Sequence, residues 1–127
     1  IEIGNDFYAP QTFLTPDGRR VVIGWMYNWQ RAIPIGQTHV GAFTIPRELF
    51  LNFDDKLCMR PIREVMPYVK NESMFVSYNN GLLRIQCDGR TVTQLPLAYE
   101  PTMQILEDIG VVEVFLMGGR KVITTYI

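Results

Sequence analysis

The sequence predicts an all-β fold made of one four-stranded antiparallel sheet followed by a small β-sandwich. Turn-forming pairs recur at short intervals between apolar, aromatic or β-branched runs, which is typical of successive hairpins. No stretch has a sustained 3.6-residue apolar period, so long helices are not expected. The turn-forming pairs are Asp17-Gly18, Asn80-Gly81, Asp88-Gly89 and Gly118-Gly119.

Four runs before Pro61 have the composition of strands and would form the first sheet. Residues 21–23 (Val-Val-Ile) are apolar on both faces of their strand, which indicates a strand covered on both sides. Pro34 and Gly36 predict a long loop over residues 30–38. The predicted strands are 8–14, 20–26, 41–51 and 56–60.

Six shorter runs after Pro61 predict the sandwich, so we divide the chain into units 1–61 and 62–127. In residues 83–87, apolar and polar side chains alternate, as a half-buried strand requires. A short helical turn is expected directly after Pro61, and Pro67 limits its length. The predicted strands are 73–78, 82–87, 91–97, 102–106, 111–116 and 121–126.

The composition is that of an ordinary globular chain without a basic surface. The 127 residues are 47% hydrophobic and 20% charged, with a formal net charge of −1. Binding to nucleic acid or to an anionic membrane is not expected, because both need clustered Lys and Arg. No apolar run approaches the roughly 20 residues of a membrane span.

Cofactor chemistry has no support in the sequence. His39 is the single histidine, and no Cys, Asp or Glu accompanies it at a metal-ligand interval. We therefore expect neither a metal nor another cofactor. Cys58 and Cys87 lie on different predicted strands and form either a disulfide or two buried thiols, of which we favour the thiols.

The first half of the chain carries an ordered series of motifs. D-F-Y-A-P-Q-T-F at 6–13 is followed by D-G-R-R-V-V-I-G-W-M-Y-N-W at 17–29 and by G-A-F-T-I-P-R-E-L at 41–49. In order and spacing these motifs resemble glycoside hydrolase family 32, the β-fructosidases, which include invertases, inulinases and levanases. The last seventeen residues, 111–127, resemble the family's final sandwich hairpin.

The resemblance implies both a fold and a sugar-binding surface. Members of the family have a five-bladed β-propeller followed by a β-sandwich, so residues 1–61 would be the last blade and residues 62–127 a shortened sandwich. In the family, the tyrosine of D-F-Y-A and the second tryptophan of G-W-x-x-x-W line the funnel that holds the terminal fructose. These residues are Tyr8 and Trp29 here. The alternative is that both rings are core aromatics of a blade.

The neighbouring residues of these motifs are expected to be structural. Trp25 and Phe13 would pack in the core, and Asp6 would anchor backbone at the start of the first strand. Arg47 and Glu48 would form a structural pair at a strand edge rather than a functional ion pair.

The catalytic motifs of the family do not occur in this sequence. Retaining glycosidases use two carboxyl groups about 5–5.5 Å apart, one as the nucleophile and one as the acid/base. In the family these groups lie in W-M-N-D-P-N-G-like and E-C-P motifs, with a further aspartate in R-D-P, all of them earlier in the chain than the part matched here. We therefore assign no catalytic residue and expect this chain alone to be inactive.

Three functions remain open at this point. The resemblance favours the C-terminal part of a β-fructosidase acting on fructan or sucrose, closer to levanases and inulinases than to sucrose-6-phosphate hydrolases. A fructanase of this kind would be extracellular or periplasmic. The alternatives are a non-catalytic fructan-binding module and an assembly fragment. Because a lone blade leaves an apolar face and open sheet edges uncovered, we also expect a homodimer.

Overall fold

The computed structural model describes residues 1–30 and 41–127; His39 and most of the predicted loop at 30–38 lie outside these residues. Within the described ranges the chain is all-β, as predicted, with antiparallel sheets and two short 3₁₀-helices. None of the helices described there is long and apolar enough to cross a membrane.

The first sheet has the strand order β1-β2-β4-β5, and a short strand β3 also pairs with β2. The predicted strand 41–51 is therefore two strands. They are separated because Pro46 has no N–H and the Ile45 N–H donates to the carboxylate of Glu113 (2.9 Å) instead of to the sheet. The strands are β1 (Tyr8–Leu14), β2 (Arg20–Met26), β3 (Ala42–Phe43), β4 (Arg47–Leu51) and β5 (Leu57–Pro61). We refer to this sheet as the blade sheet.

The sandwich consists of two three-stranded sheets, an outer sheet ordered β6-β7-β8 and a middle sheet ordered β11-β10-β9. The predicted hairpin at Asp88-Gly89 is confirmed, because both residues have positive φ angles (51° and 74°), as a tight two-residue turn requires. A 3₁₀-helix at Arg63–Tyr68 follows the blade sheet, and a second lies at Met117–Gly119. The strands are β6 (Val76–Asn79), β7 (Leu82–Cys87), β8 (Arg90–Pro96), β9 (Met103–Asp108), β10 (Val111–Leu116) and β11 (Lys121–Tyr126).

The middle sheet is buried on both of its faces. Its side chains alternate between two cores, one shared with the outer sheet and one shared with the blade sheet. The first core contains Val76, Leu83, Ile85, Ile105, Val112, Val114, Leu116 and Ile123. The second contains Val22, Met59, Leu106, Phe115 and Val122. The blade sheet and the sandwich are thus packed directly against each other.

The segment before β1 runs along the last strand of the chain. The Ile3 N–H donates to the Val122 carbonyl (2.8 Å), and the Asp6 N–H donates to the Thr124 carbonyl (3.2 Å). Glu2 forms a parallel bridge with Val122. The residues that lead into the blade sheet are therefore held by β11.

Both cysteines are free thiols. Cys58 in β5 is buried, and Cys87 at the end of β7 is half-buried. The expectation of thiols rather than a disulfide is confirmed, although only Cys58 is enclosed.

Candidate functional site

Four aromatic side chains gather at one end of the blade sheet. Tyr8 begins β1, Trp25 lies opposite it near the end of β2, and Tyr27 and Trp29 follow β2. We call these four residues the aromatic cluster. Tyr8 is 48% exposed and Trp29 is 69% exposed, whereas Trp25 is half-buried and Tyr27 is buried. The cluster therefore has a buried base and two rings in contact with solvent.

The rings meet in the edge-to-face and stacked arrangements that aromatic side chains prefer. The ring of Trp29 is nearly perpendicular to that of Tyr8, with centroids 5.9 Å apart, and to that of Tyr27, at 5.0 Å. Trp25 and Tyr27 stack at 4.4 Å with an angle of 16° between their planes. Tyr8 and Trp29 thus form a corner that is open to solvent and supported from below by the other two rings.

A β-bulge sets the position of Tyr8. Tyr8 pairs with Trp25, and the next register partner on β1 is Gln11, which pairs with Ile23. Ala9, between them, has a φ of 46°, in the region that residues with a Cβ rarely adopt. Bulges of this kind redirect side chains at strand ends and are common beside functional sites.

Two glycines let the chain pass close to the aromatic rings. A Cβ at Gly24 would collide with the ring of Phe7, so this position needs a residue without a side chain. Gly41 has a φ of 78°, and a Cβ there would lie 2.5 Å from the indole nitrogen of Trp25. Both glycines are therefore required by packing around the cluster.

The structure brings together the two residues that the sequence assigned to the site. Tyr8 and Trp29 are exposed and lie side by side, as expected of sugar-contacting rings and not of core aromatics; what they bind is still a prediction. Trp25, expected in the core, is a half-buried member of the cluster. Tyr27 was not predicted as a member. Its place in the sequence between Trp25 and Trp29 was the signal for it, although Tyr27 and Trp29 lie beyond the end of β2.

Of the other motif residues, Asp6 has the structural role predicted for it and Phe13 does not. Asp6 is buried and anchors backbone, as predicted, because its carboxylate accepts from the Tyr126 N–H (3.1 Å) and from the Thr125 hydroxyl (3.2 Å). Phe13 was expected to pack but is 49% exposed, since it lies on β1, all of whose residues are exposed.

The expected pair between Arg47 and Glu48 is wrong. As neighbours on β4 they point to opposite faces of the sheet, and Glu48 pairs instead with Arg60 on the adjacent strand (3.0 Å). Arg47 is completely buried and binds Glu113 (2.7 Å) and Glu2 (2.8 Å). This partner choice could not be read from the sequence, because Glu113 is 66 residues away.

The buried cluster around Arg47 is a structural connection between the blade sheet and the middle sheet. The guanidinium also donates to the Thr124 hydroxyl (2.6 Å) and lies between the rings of Phe7 (5.0 Å) and Phe115 (5.1 Å). Burial raises the pKa of Glu113 above its ordinary value, against the opposing effect of the nearby Arg47 charge. The Arg47 guanidinium and the Glu113 carboxylate are both buried, so neither is available to a ligand at the surface.

Hollows on the described part of the surface also occur away from the aromatic cluster. One of about 440 Å³ opens between the blade sheet and the first 3₁₀-helix. Its arginines are already ion-paired, Arg19 with Glu64, Arg60 with Glu48 and Arg63 with Asp17, so it offers little charge to a ligand. We therefore place the candidate site at the exposed rings of Tyr8 and Trp29 and not in the hollow, whose charged groups already have partners. The hollow is lined by Arg19, Glu48, Arg60, Pro61, Arg63, Met66 and Gln104.

Metal ligands do not gather within the described part of the chain. Residues 1–30 and 41–127 contain no group of three or more His, Cys, Asp or Glu side chains that could hold an ion.

Comparison with known proteins connects the chain to one family. Residues 1–61 match the profile of the glycosyl hydrolases family 32 N-terminal domain. Raffinose invertase of Escherichia coli is 46% identical over 66 residues, which are 51% of this chain and 14% of that protein. Sucrose-6-phosphate hydrolase of Escherichia coli is 45% identical over 65 residues, which are 50% of this chain and 13% of that protein.

The fold is similar to that of a solved structure over nearly the whole chain. A variant of the Bombyx mori GH32 β-fructofuranosidase, solved in complex with sucrose, superposes with a TM-score of 0.70 at 20% identity. The match covers 98% of this chain and 36% of that one. The chain thus spans about one seventh of the curated relatives above and about a third of this solved structure. It is a relative of glycoside hydrolase family 32 that corresponds to only part of a full family chain.

Proposed function

We propose that this chain supplies one wall of a fructosyl-binding pocket in a β-fructosidase that acts on sucrose or fructan. The observation that carries the proposal is the exposed corner formed by Tyr8 and Trp29, whose rings are perpendicular at 5.9 Å. In this proposal residues 1–61 are the last propeller blade and residues 62–127 a shortened sandwich.

The chemistry of the corner suits a sugar ring. A sugar has an apolar C–H face that stacks on an indole and hydroxyl groups that hydrogen-bond to a phenol. The names of the relatives, raffinose invertase and sucrose-6-phosphate hydrolase, and the sucrose-bound β-fructofuranosidase support a sucrose-type substrate. The preference for a levanase or inulinase type stays a prediction, compatible with these relatives.

We further propose that the chain alone does not hydrolyse its sugar. Asp6, the acid nearest in sequence to Tyr8, is buried and accepts hydrogen bonds from β11. Glu2 and Glu113 converge on Arg47 inside the protein. None of these acids has the solvent access that a nucleophile or a general acid needs, and the sequence has none of the family's catalytic motifs.

Titration of the 127-residue chain with sucrose, followed by NMR of the tyrosine and tryptophan side chains, tests the binding surface. We expect sucrose to shift the resonances of Tyr8 and Trp29, and Trp29→Ala to abolish the shifts. Tyr99→Ala is the matched control, because Tyr99 is an exposed aromatic residue outside the cluster. Shifts that survive Trp29→Ala, or that are absent up to high sucrose concentrations, contradict the proposal.

An assay for fructose release from sucrose, inulin and levan tests the lack of catalysis. We expect none from the purified chain, because each catalytic group typically contributes about 10²–10⁴-fold or more. Release of fructose that is lost on mutating an acid of this chain would reveal a catalytic pair. Binding of levan or inulin but not of sucrose, without hydrolysis, favours the fructan-binding module.

A second proposal, self-association, is favoured by the exposed side of the blade sheet. All seven residues of the edge strand β1 are exposed, Phe43 is 77% exposed and Phe53 is fully exposed. Edge strands and apolar patches of this kind pair with other chains unless they are covered. Sedimentation across a concentration series is expected to show a two-fold dimer that Phe43→Ser weakens. A monomer at tens of micromolar contradicts this.

A further inference from the structure

The last strand of the chain holds the backbone between two members of the aromatic cluster. The Tyr126 hydroxyl donates a hydrogen bond of 2.7 Å to the carbonyl of Met26, which lies between Trp25 and Tyr27 in the sequence. Met26 itself is buried. A residue 100 positions away therefore fixes the point at which β2 ends and the aromatic segment begins.

The same end of β11 also holds the chain that leads to Tyr8. The Asp6 carboxylate accepts from the N–H of Tyr126 (3.1 Å) and from the hydroxyl of Thr125 (3.2 Å). The Asp6 N–H donates to the carbonyl of Thr124 (3.2 Å). Tyr126 thus contacts both backbone segments that carry the exposed rings, one through its side chain and one through its main chain.

A third hydrogen bond joins these two segments to each other. The Asn28 side chain donates to the carbonyl of Asn5 (3.1 Å), and its carbonyl oxygen accepts from the Gln30 N–H (2.9 Å). The second of these bonds closes a turn around Trp29. Together with Tyr126 and Asp6 this forms a closed frame of hydrogen bonds behind the aromatic cluster.

We propose that Tyr126 is a positioning residue that sets the angle between Tyr8 and Trp29. The inference rests on the proposed function, because the angle between the two rings matters most if they hold a sugar. Its support is mechanical: Ile123, Thr124 and Thr125 of β11 are completely buried, whereas the cluster lies at a strand end and in a turn. The rigid strand therefore determines where the exposed rings stand. The sandwich in this way contributes to the sugar site without touching the sugar.

The experiment compares Tyr126→Phe with Tyr78→Phe. Both variants remove a tyrosine hydroxyl that donates to a backbone carbonyl, and the Tyr78 bond to Leu97 (2.9 Å) lies in the outer sheet. The chain contains two tryptophans, Trp25 and Trp29, so each indole N–H gives one assignable NMR signal. We expect Tyr126→Phe to shift both indole signals without sugar present and Tyr78→Phe to leave them unchanged, with similar melting temperatures for the two variants.

Sucrose titration gives the second readout. Losing one such hydrogen bond is expected to weaken sucrose binding by about 3–10-fold in Tyr126→Phe and not in Tyr78→Phe. Unchanged indole signals in Tyr126→Phe, or equal shifts in both variants, overturn the inference. If the unmodified chain does not bind sucrose, the proposed function fails, whereas the indole signals still decide the positioning role.

Should Tyr126→Phe not fold, Asn28→Ala is the second variant, because it removes another hydrogen bond behind the aromatic cluster, the exposed bond to the Asn5 carbonyl. Unchanged indole signals in Asn28→Ala overturn the inference as well.

Discussion

The Nη2 atom of Arg47 lies 2.7 Å from the Oε2 atom of Glu113, and this buried ion pair joins the blade sheet to the middle sheet. Neither partner faces solvent, so each depends on the other for the hydrogen bonds that water would otherwise provide. The same strand carries a second Arg–Glu pair, Glu48 with Arg60, in which the arginine is half-exposed. The two pairs therefore provide a matched comparison of buried and surface charge.

Glu113→Ala is predicted to lower the free energy of unfolding by about 3–5 kcal/mol, because it leaves the buried Arg47 charge short of a partner. Glu48→Ala, the control, should cost no more than about 1 kcal/mol, since an exposed pair is screened by water. Urea denaturation of both variants measures the difference. Equal losses would show that the buried pair is not a main connection between the two sheets.

The stability of the chain is predicted to depend on pH through the ionisation of Glu113. Because burial raises the pKa of Glu113 above 4.5, the folded chain binds this proton more readily than the unfolded chain does. The contribution that this proton makes to the free energy of unfolding is fully present below pH 4.5. It is lost as the pH rises through the raised pKa of Glu113. Relative to Glu113→Gln, which cannot titrate, the unmodified chain should lose unfolding free energy above pH 4.5. A constant or growing difference contradicts this.

The surface ion pairs at the β1–β2 turn are predicted to act in the opposite pH direction. Hydrogen bonds from Thr15 and Arg19 lower the pKa of Asp17 to about 2, and a hydrogen bond from Arg19 does most to lower the pKa of Glu64 to about 2. Their stabilising effect is present above the ordinary values of 3.8 and 4.5 and is lost as the pH falls toward 2.

The measurement for these ion pairs is an NMR titration of the two carboxyl carbons. High salt should raise both pKa values toward the ordinary range, because the groups are exposed and screened. Arg19→Gln should raise both values even at low salt. If Arg19→Gln leaves the pKa of Glu64 unchanged, the bidentate contact between them (2.8 and 2.9 Å) is not the cause.

Gly24→Ala is predicted to destabilise the chain by about 1–3 kcal/mol, because the new methyl group collides with the ring of Phe7. The double variant Gly24→Ala with Phe7→Leu should recover part of the loss, since the smaller side chain leaves room for the methyl group. Thermal or urea unfolding of the single and double variants checks this. Strictly additive losses would show that the two positions do not compete for space.

The strands could be predicted because their signals are local. Asp88-Gly89 and Asn80-Gly81 supply the positive φ angles of two hairpin turns, and β-branched runs lie between the turns. The division of the predicted strand 41–51 could not be foreseen, because it depends on the Ile45 N–H finding Glu113, which is 68 residues further along. Hydrogen bonds between residues so far apart cannot be predicted from the local pattern of the sequence.

The candidate site was predictable only as far as its motifs reach. Tyr8 and Trp29 follow from the family motifs, and the structure adds that their rings touch. The support beneath them was predictable only in part: Asp6 was expected to anchor backbone, but the hydrogen bond from the Tyr126 hydroxyl to the Met26 carbonyl comes from a segment whose pattern indicates only a strand. Sequence motifs thus predicted the candidate surface, and tertiary packing explains its shape.

The buried cluster around Arg47 has a consequence for the kinetics of folding. It draws Glu2, Arg47, Glu113 and Thr124 into one contact network, and Glu2 bonds to Thr124 across 122 positions. Such a network can form only after almost the entire chain has folded. The entropy cost of bringing its distant residues together therefore falls late in folding. Folding should accordingly be slow for a chain of this length, as it is for other proteins rich in distant contacts. The blade sheet and the sandwich should then unfold together in a single transition. If one unfolded first, the other would keep a buried charge, Arg47 or Glu113, without its partner.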